Sequence, residues 1–172
     1  DVNNDGYDDI IVGANSNQGA VYIIYGNKTS SLKDITLSSK TLDPATTGFT
    51  VTGNGGNFGR EVSSAGDMNN DGYDDILIGA YSINGNQGAA YIIYGNSTSS
   101  LKNIVLSSTA LNPATTGFII IGNYDSFGTS VCSAGDVNND GFDDIIIGAD
   151  ANNNTQGAAY IIYGNSTSSL KD

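Results

Sequence analysis

Three acidic segments of the sequence share one pattern of oxygen-bearing side chains. They read DVNNDGYDD at 1–9, DMNNDGYDD at 67–75 and DVNNDGFDD at 136–144. Carboxylates or amides stand at the first, third, fifth and ninth positions, and the sixth position is a glycine, which reaches positive φ at low cost in a sharp turn. Oxygen ligands at alternating positions around a glycine favour a hard cation with roughly six to eight oxygen ligands, which indicates Ca²⁺.

The predicted ligand set of each segment, called a loop from here on, is four side chains and the backbone carbonyl of the seventh residue. One ion per loop gives three Ca²⁺ ions in total. The predicted ligands are Asp1, Asn3, Asp5, Tyr7 and Asp9 in the first loop, Asp67, Asn69, Asp71, Tyr73 and Asp75 in the middle loop, and Asp136, Asn138, Asp140, Phe142 and Asp144 in the last loop. The eighth residue, Asp8, Asp74 or Asp143, is expected to point away from the ion and to cap the following strand.

Other kinds of site fit the loops less well. An EF-hand needs a glutamate at its twelfth position, where this sequence has Val12, Ile78 and Ile147. Zinc prefers His and Cys, and the chain has no His and one Cys. A solvated acidic turn is the simplest alternative, but two carboxylates about 6 Å apart repel by roughly 3 kcal/mol at an effective dielectric of about 20. Because the same acidic loop precedes the same apolar strand three times, a cation site is favoured over a solvated turn.

The formal charge of -12 lies in the loops, because their twelve aspartates leave six other acidic residues, which six Lys and Arg residues balance. Such a chain is a poor partner for nucleic acid or an anionic membrane surface. Its apolar runs are shorter than the roughly 20 residues of a membrane-spanning helix, so no membrane insertion is expected.

Catalysis is not expected from these residues. The chain lacks His and has a single glutamate, Glu61. Aspartates that bind calcium must stay ionised, which suits neither a general acid nor a poised base. No catalytic residue is therefore assigned, and the chain is predicted not to be an enzyme.

The loops recur after 66 and then 69 residues, and GAAYIIYGNSTSSLK at 88–102 returns unchanged at 157–171. A period of this size indicates a solenoid, propeller or array of one supersecondary unit. The unit reads as four strands, at 58–66, 76–80, 88–95 and 118–122. The third strand is apolar on both faces, so it must be covered on both sides, and no helical pattern is present to cover it.

These observations predict an all-β fold of propeller-type blades with four antiparallel strands each. The division is a partial blade with strands 2–4 at 1–57, a complete blade at 58–126 and a partial blade with strands 1–3 at 127–172. About ten strands cannot close a ring, so the chain is expected to be an open segment of a longer propeller or array. Completion of the blades by neighbouring chains is the alternative.

The strand ends that frame the loops resemble the FG-GAP repeat, the blade unit of integrin α-subunit β-propellers. Phe58-Gly59 precedes the middle loop and Gly79-Ala80 follows it, while the last loop lies between Phe127-Gly128 and Gly148-Ala149. The first loop retains only Gly13-Ala14. The usual proline is replaced at the three positions Asn15, Tyr81 and Asp150.

The resemblance implies a Ca²⁺ ion between the first and second strands of each blade and an extracellular or cell-surface location. The implied function is a scaffold for cell adhesion or for binding a protein or glycan ligand. Two alternatives stay open. The blades could stack on copies of themselves in an extracellular filament or coat, or the chain could be a non-catalytic module of a larger secreted enzyme.

Asparagine sequons support an extracellular location independently, if the source is eukaryotic. Three lie at one equivalent position after the third strand and a fourth lies elsewhere, at Asn27, Asn96, Asn165 and Asn153. An Asn/Ser/Thr-rich turn is the alternative reading. The lone Cys132 replaces Ser63 of the preceding repeat, which predicts a small packed side chain.

Overall fold

The structure, a computed structural model, describes residues 1–28, 37, 42–123, 125–150 and 156–166. These residues form eleven strands and one four-residue helical turn, which is far too short to cross a bilayer. The strands are β1 (Ile10–Ala14), β2 (Ala20–Ile24), β3 (Gly48–Thr52), β4 (Val62–Gly66), β5 (Asp75–Gly79), β6 (Ala89–Ile93), β7 (Ile104–Val105), β8 (Gly117–Ile121), β9 (Phe127–Gly135), β10 (Asp144–Ala149) and β11 (Ala158–Ile162), and the helical turn α1 (Ile83–Asn86) lies between β5 and β6.

The strands form three sheets. The first sheet has the order β1-β2-β3-β7, the middle sheet β4-β5-β6-β8 and the last sheet β11-β10-β9. Every pairing is antiparallel except that of β7 with β3. The middle sheet is the predicted blade of four antiparallel strands, so the all-β class and the four-strand unit are confirmed.

Strand β6 lies at the centre of the structure, and all of its residues are buried. Tyr91 and Ile93 belong to a core shared with the first sheet, whereas Ala90 and Ile92 belong to a core shared with the last sheet. The prediction that this strand is covered on both faces is therefore confirmed for β6. It is wrong for β11, most of which is exposed, because only one sheet packs against the last sheet among the described residues.

Strand β7 was not predicted. It lies in the connector between β6 and β8, and it pairs in parallel with β3, with Val51 opposite Ile104. The Asn103 side-chain oxygen also accepts the Thr50 N–H at 2.8 Å. A two-residue strand carries no periodic pattern, so only the fold reveals that one blade adds a strand to the preceding blade.

The Phe-Gly and Gly-Ala pairs that frame the loops are contacts between blades. Phe58 is fully buried in the core shared with the first sheet, and it stacks edge-on against Tyr91 of its own blade, with ring centroids 5.2 Å apart. A Cβ on Gly13 would overlap the carbonyl oxygen of Gly59, and one on Gly79 would likewise meet the next Phe-Gly pair. The Gly-Ala pair thus needs glycine so that the following blade can approach closely.

Cys132 is exposed, so the prediction of a packed side chain is wrong. It stands opposite Ile146 in β10, just as Ser63 stands opposite Leu77 in β5. Leu77 packs against the last sheet, whereas the corresponding face of the last sheet has no covering sheet in the described chain. The cysteine therefore takes the equivalent position on an uncovered face.

Equivalent isoleucines in β6 and β11 test this packing, because Ile92 is fully buried and Ile161 is 51% exposed. We expect Ile92→Ala to lower the free energy of unfolding by about 2–5 kcal/mol, since it leaves a cavity between two sheets. The matched variant Ile161→Ala should cost less than about 1 kcal/mol. Urea denaturation measures both values, and equal losses would contradict the stacking of the sheets.

Candidate metal site

The first aspartate of each loop closes the loop by accepting two backbone hydrogen bonds. In the middle loop, the Asp71 N–H donates to Asp67 Oδ1 at 3.0 Å and the Gly72 N–H donates to Asp67 Oδ2 at 2.8 Å. The first and last loops repeat both bonds, at 3.0 and 2.8 Å and at 3.0 and 2.9 Å. The backbone therefore curls around the side chain of the first aspartate in the same way in all three loops.

The third and fifth residues continue the wrap. Asn69 Oδ1 accepts the Asp71 N–H at 3.0 Å, and Asp71 Oδ1 accepts the Tyr73 N–H at 3.1 Å. In the first and last loops the side-chain amide Nδ2 of the asparagine also donates to the fifth aspartate, but Asn69 Nδ2 is buried without a hydrogen-bond partner. The interior of the middle loop thus contains a polar atom that the protein alone does not satisfy.

Two residues of each loop adopt the left-handed conformation. Gly72 has φ of 90°, as its glycine type predicts, and Asn70 has φ of 54°. The same pair occurs in the other loops. The fourth-position asparagine was missed from the sequence, although asparagine tolerates this conformation better than other non-glycine residues.

The ninth aspartate joins the loop to the third strand of its blade. Asp75 is fully buried and accepts the Met68 N–H at 3.1 Å and the Gly95 N–H at 3.0 Å. A Cβ on Gly95 would overlap the carbonyl oxygen of Asp74, so only glycine fits where β6 ends. The glycine that follows YIIY in all three repeats was the sequence feature that could have identified this donor.

The middle loop concentrates negative charge where water is scarce. Burial raises the pKa of Asp75 from its ordinary value of 3.8 to about 8, although the hydrogen bonds from the Gly95 and Met68 N–H groups lower it more than the charges of Asp71 and Asp67 raise it. Burial is also the main cause that raises the pKa of Asp71 and of Asp9.

A folded-state pKa above the ordinary value means that the fold disfavours the ionised Asp75. Without a counter-charge, this carboxyl favours folding at low pH, and that contribution is lost as the pH rises from 3.8 towards 8. A divalent cation among the carboxylates would reverse this balance by favouring their ionised forms.

The residues present fit a calcium ion in their chemistry. Within the described residues, no group of three or more His, Cys, Asp and Glu side chains is arranged to hold a metal by itself. The three aspartates of each predicted set are therefore not clustered closely enough to hold an ion on their own, and each set adds an asparagine and a backbone carbonyl. Its donors are all oxygens, and a carboxylate oxygen that accepts one N–H keeps a second lone pair.

The predicted ligands are brought together to different degrees. Hydrogen bonds tie the side chains at the first, third, fifth and ninth positions to the backbone of one loop. The seventh residue donates its N–H to the fifth, as Tyr7, Tyr73 and Phe142 do. Ligation by the carbonyl of that residue stays a prediction.

The loops differ in how far the next blade covers them. The second residue is 3% exposed in the first loop (Val2), 1% in the middle loop (Met68) and 51% in the last loop (Val137). Asn69 is buried, whereas its counterpart Asn138 is exposed. The first and middle loops therefore lie at junctions between sheets, and the last loop lies at an uncovered face.

The eighth aspartate does not cap its own strand. Asp143 Oδ2 accepts the N–H of Asp67, in the preceding loop, at 2.9 Å. The predicted capping role is thus replaced by a contact between blades, which no pattern within one repeat could have indicated.

The sequon asparagines differ in exposure. Asn165 and Asn27 are exposed, whereas Asn96 is half-buried and its Oδ1 accepts the Ser97 N–H at 2.8 Å. Asn153 lies outside the described residues. Glycosylation at these positions stays a prediction.

A cavity of about 590 Å³ lies beside the connector of the middle blade. Phe49, Ile93 and Leu101 form its apolar wall, and Lys102 is the charged residue among those that line it. Its lining supplies no carboxylate, so the cavity offers apolar and hydroxyl contacts rather than an acid–base pair.

Family comparisons agree with the repeat geometry. The model of the FG-GAP repeat matches residues 127–162, and that of the FG-GAP-like repeat matches residues 1–78. Integrin alpha pat-2 of Caenorhabditis elegans is 36% identical over 163 residues, which cover 87% of this chain and 12% of that relative.

Other integrin α subunits are similar over parts of the chain. Integrin alpha-8 of Gallus gallus is 29% identical over 87% of the chain, and integrin alpha-11 of Homo sapiens is 35% identical over 54% of it. The chain spans only 14% and 7% of those relatives. With its repeated loops, its four-stranded sheet and these matches, the chain belongs to the FG-GAP repeat proteins, and its blades resemble those of integrin α subunits.

Proposed function

We propose that the chain is a calcium-binding extracellular scaffold that serves cell-surface adhesion or the binding of a protein or glycan ligand. The observation that carries the calcium proposal is the threefold recurrence of one wrapped loop with the same oxygen donors and the same hydrogen bonds. The similarity to integrin α subunits supports the adhesion role and the extracellular location.

In each loop the residues at positions one, three, five, seven and nine would hold the ion. Bound calcium would supply the positive charge that the clustered carboxylates lack. The protein holds the loop in a fixed conformation, because the Asp67 carboxylate binds the loop backbone and the Asp75 carboxylate binds the Gly95 N–H just after β6. The ionised carboxylates would then stabilise the blade instead of opposing its folding.

The remaining parts of the proposal follow from the repeat. The division into partial, complete and partial blades at 1–57, 58–126 and 127–172 is proposed as the unit structure. We infer a binding role without catalysis, because the loop aspartates are committed to the wrap and Glu61 has no described carboxylate or histidine partner.

A filament or coat of stacked blades is the second candidate. Its support is the near-identity of the repeats, since residues 88–102 return unchanged at 157–171. A further blade would pack on the outer face of the last sheet, where Val137, Ile161 and Tyr163 are 51–55% exposed. Their counterparts in the middle blade, Met68, Ile92 and Tyr94, are at most 3% exposed because the last sheet covers them. The face that would receive another blade is therefore present on the last sheet.

Calcium should stabilise the wild-type protein, and Asp71→Asn should abolish part of that effect. At 10 mM calcium, a site with a Kd of about 0.1–1 mM adds about 1.4–2.7 kcal/mol to the free energy of unfolding. The asparagine keeps an oxygen for the Tyr73 N–H but removes a charged ligand. We expect the variant to lose about 2 kcal/mol of calcium-induced stabilisation, measured by thermal unfolding in calcium and in EDTA.

The measurement in EDTA distinguishes a calcium site from a solvated turn. Without metal, Asp71→Asn should be as stable as the wild type or more so, because it relieves repulsion among the carboxylates. The matched variant Asp8→Asn changes the same charge outside the proposed ligand set and should keep the full calcium effect. Equal melting of the wild type in calcium and in EDTA would refute the calcium proposal.

Sedimentation at increasing protein concentration tests the filament candidate. Stacked blades predict a sedimentation coefficient that rises with concentration, and Ile161→Lys should suppress the rise because it places a charge on the exposed face. A single, concentration-independent species would leave the adhesion scaffold as the supported function.

A further inference from the structure

Asp143 makes a reciprocal contact with the first residue of the preceding loop. Its Oδ2 accepts the Asp67 N–H at 2.9 Å, and its own N–H donates to the Asp67 carbonyl oxygen at 3.2 Å. Both backbone polar groups of Asp67 are thus bound by one residue of the next blade. The Asp67 side chain is the one that closes the middle loop and begins its proposed ligand set.

The same contact occurs one blade earlier. Asp74 Oδ2 lies 2.6 Å from the amino group of Asp1, and the Asp74 N–H donates to the Asp1 carbonyl oxygen at 3.2 Å. Two junctions of the chain therefore pair the eighth aspartate of one loop with the first residue of the preceding loop, through a backbone N–H at Asp67 and through the terminal amino group at Asp1. We call this pair the interblade contact.

Neighbouring backbone groups reinforce the interblade contact. The Asn165 N–H donates to the Met68 carbonyl oxygen at 2.9 Å, so the next blade holds the middle loop at two consecutive residues. Gly66 precedes Asp67 with φ of 69°, and a Cβ there would overlap the Asp143 carboxylate. The chain thus leaves space at Gly66 for a side chain from another repeat.

Asp8 is the natural control for this contact. It stands at the same loop position as Asp74 and Asp143, but it is exposed, and no described residue donates a hydrogen bond to its carboxylate. Asp143 and Asp74 are both half-buried. The three residues therefore share type, charge and loop position and differ in whether the interblade contact is made.

We propose that Asp74 and Asp143 are positioning residues that fix the first calcium ligand of the preceding loop. Calcium binding in one blade and docking of the next blade then stabilise each other, because linkage between two binding events is reciprocal. The calcium part of this inference rests on the proposed function. In the last loop Val137 is exposed, and no described residue makes this contact.

Calcium titration calorimetry on the whole chain tests the coupling. We expect Asp143→Ala to weaken one of the calcium sites by about tenfold, since it removes a hydrogen bond to a charged group that orients Asp67. The matched variant Asp8→Ala should leave every site within about twofold of the wild type. Identical calcium isotherms for the two variants would overturn the coupling.

Thermal unfolding in calcium and in EDTA separates positioning from a purely structural role. A positioning residue predicts that Asp143→Ala reduces the increase in Tm that calcium produces. A structural contact alone would lower Tm equally under both conditions, which would also overturn the coupling. Asp143→Asn keeps an oxygen acceptor and should restore most of the increase, so the test does not depend on how well the alanine variant folds.

Amide hydrogen exchange distinguishes failure of this inference from failure of the calcium proposal. In EDTA, the Asp67 N–H should exchange faster in Asp143→Ala than in the wild type and should be unchanged in Asp8→Ala. If the wild type binds no calcium, the proposed function fails, while the exchange data still report on the interblade contact. Unchanged Asp67 exchange in Asp143→Ala would contradict the contact itself.

Discussion

The burial of like-charged carboxylates in the loops is the constraint on which the structure depends. In each loop the aspartate side chains turn inwards and accept hydrogen bonds from the loop's own backbone. In the middle loop the ninth aspartate is completely buried beside two other acidic residues. Hydrogen bonds from backbone N–H groups hold the side chains in this arrangement but do not neutralise them. A hard divalent cation is the chemical group that would make such an arrangement favourable, because it needs several oxygen ligands at short distance.

The loops lie where one blade meets the next, so their electrostatics bear on the whole fold. Strand β5 runs from Asp75, which completes the loop, to Gly79, which receives the Phe-Gly pair of the next blade. Between these ends, the side chains of β6 fill a core on each face of the middle sheet. A blade is therefore joined to its neighbour at both ends of its strands and along the apolar surface between them.

Much of this arrangement could be predicted from the sequence, because the repeat places the same local pattern in three contexts. Short apolar runs that recur with the repeat identified β5, β6 and β8, and the spacing of Asp, Asn and Gly identified the loop donors. The features that were missed depend on contacts between repeats. Strand β7 needs β3 as a partner, Asp143 needs Asp67, and the exposure of Cys132 depends on which face the neighbouring sheet covers. A sequence pattern within one repeat cannot indicate a contact with another repeat.

Equilibrium dialysis against calcium, followed by measurement of bound metal per chain, tests the central claim most directly. Our account predicts three bound Ca²⁺ ions per chain at millimolar free calcium, and the loss of one ion when Asp71 is replaced by Asn. A wild-type chain that retains no calcium under these conditions would contradict it, because the buried carboxylates would then have to be accommodated without a metal.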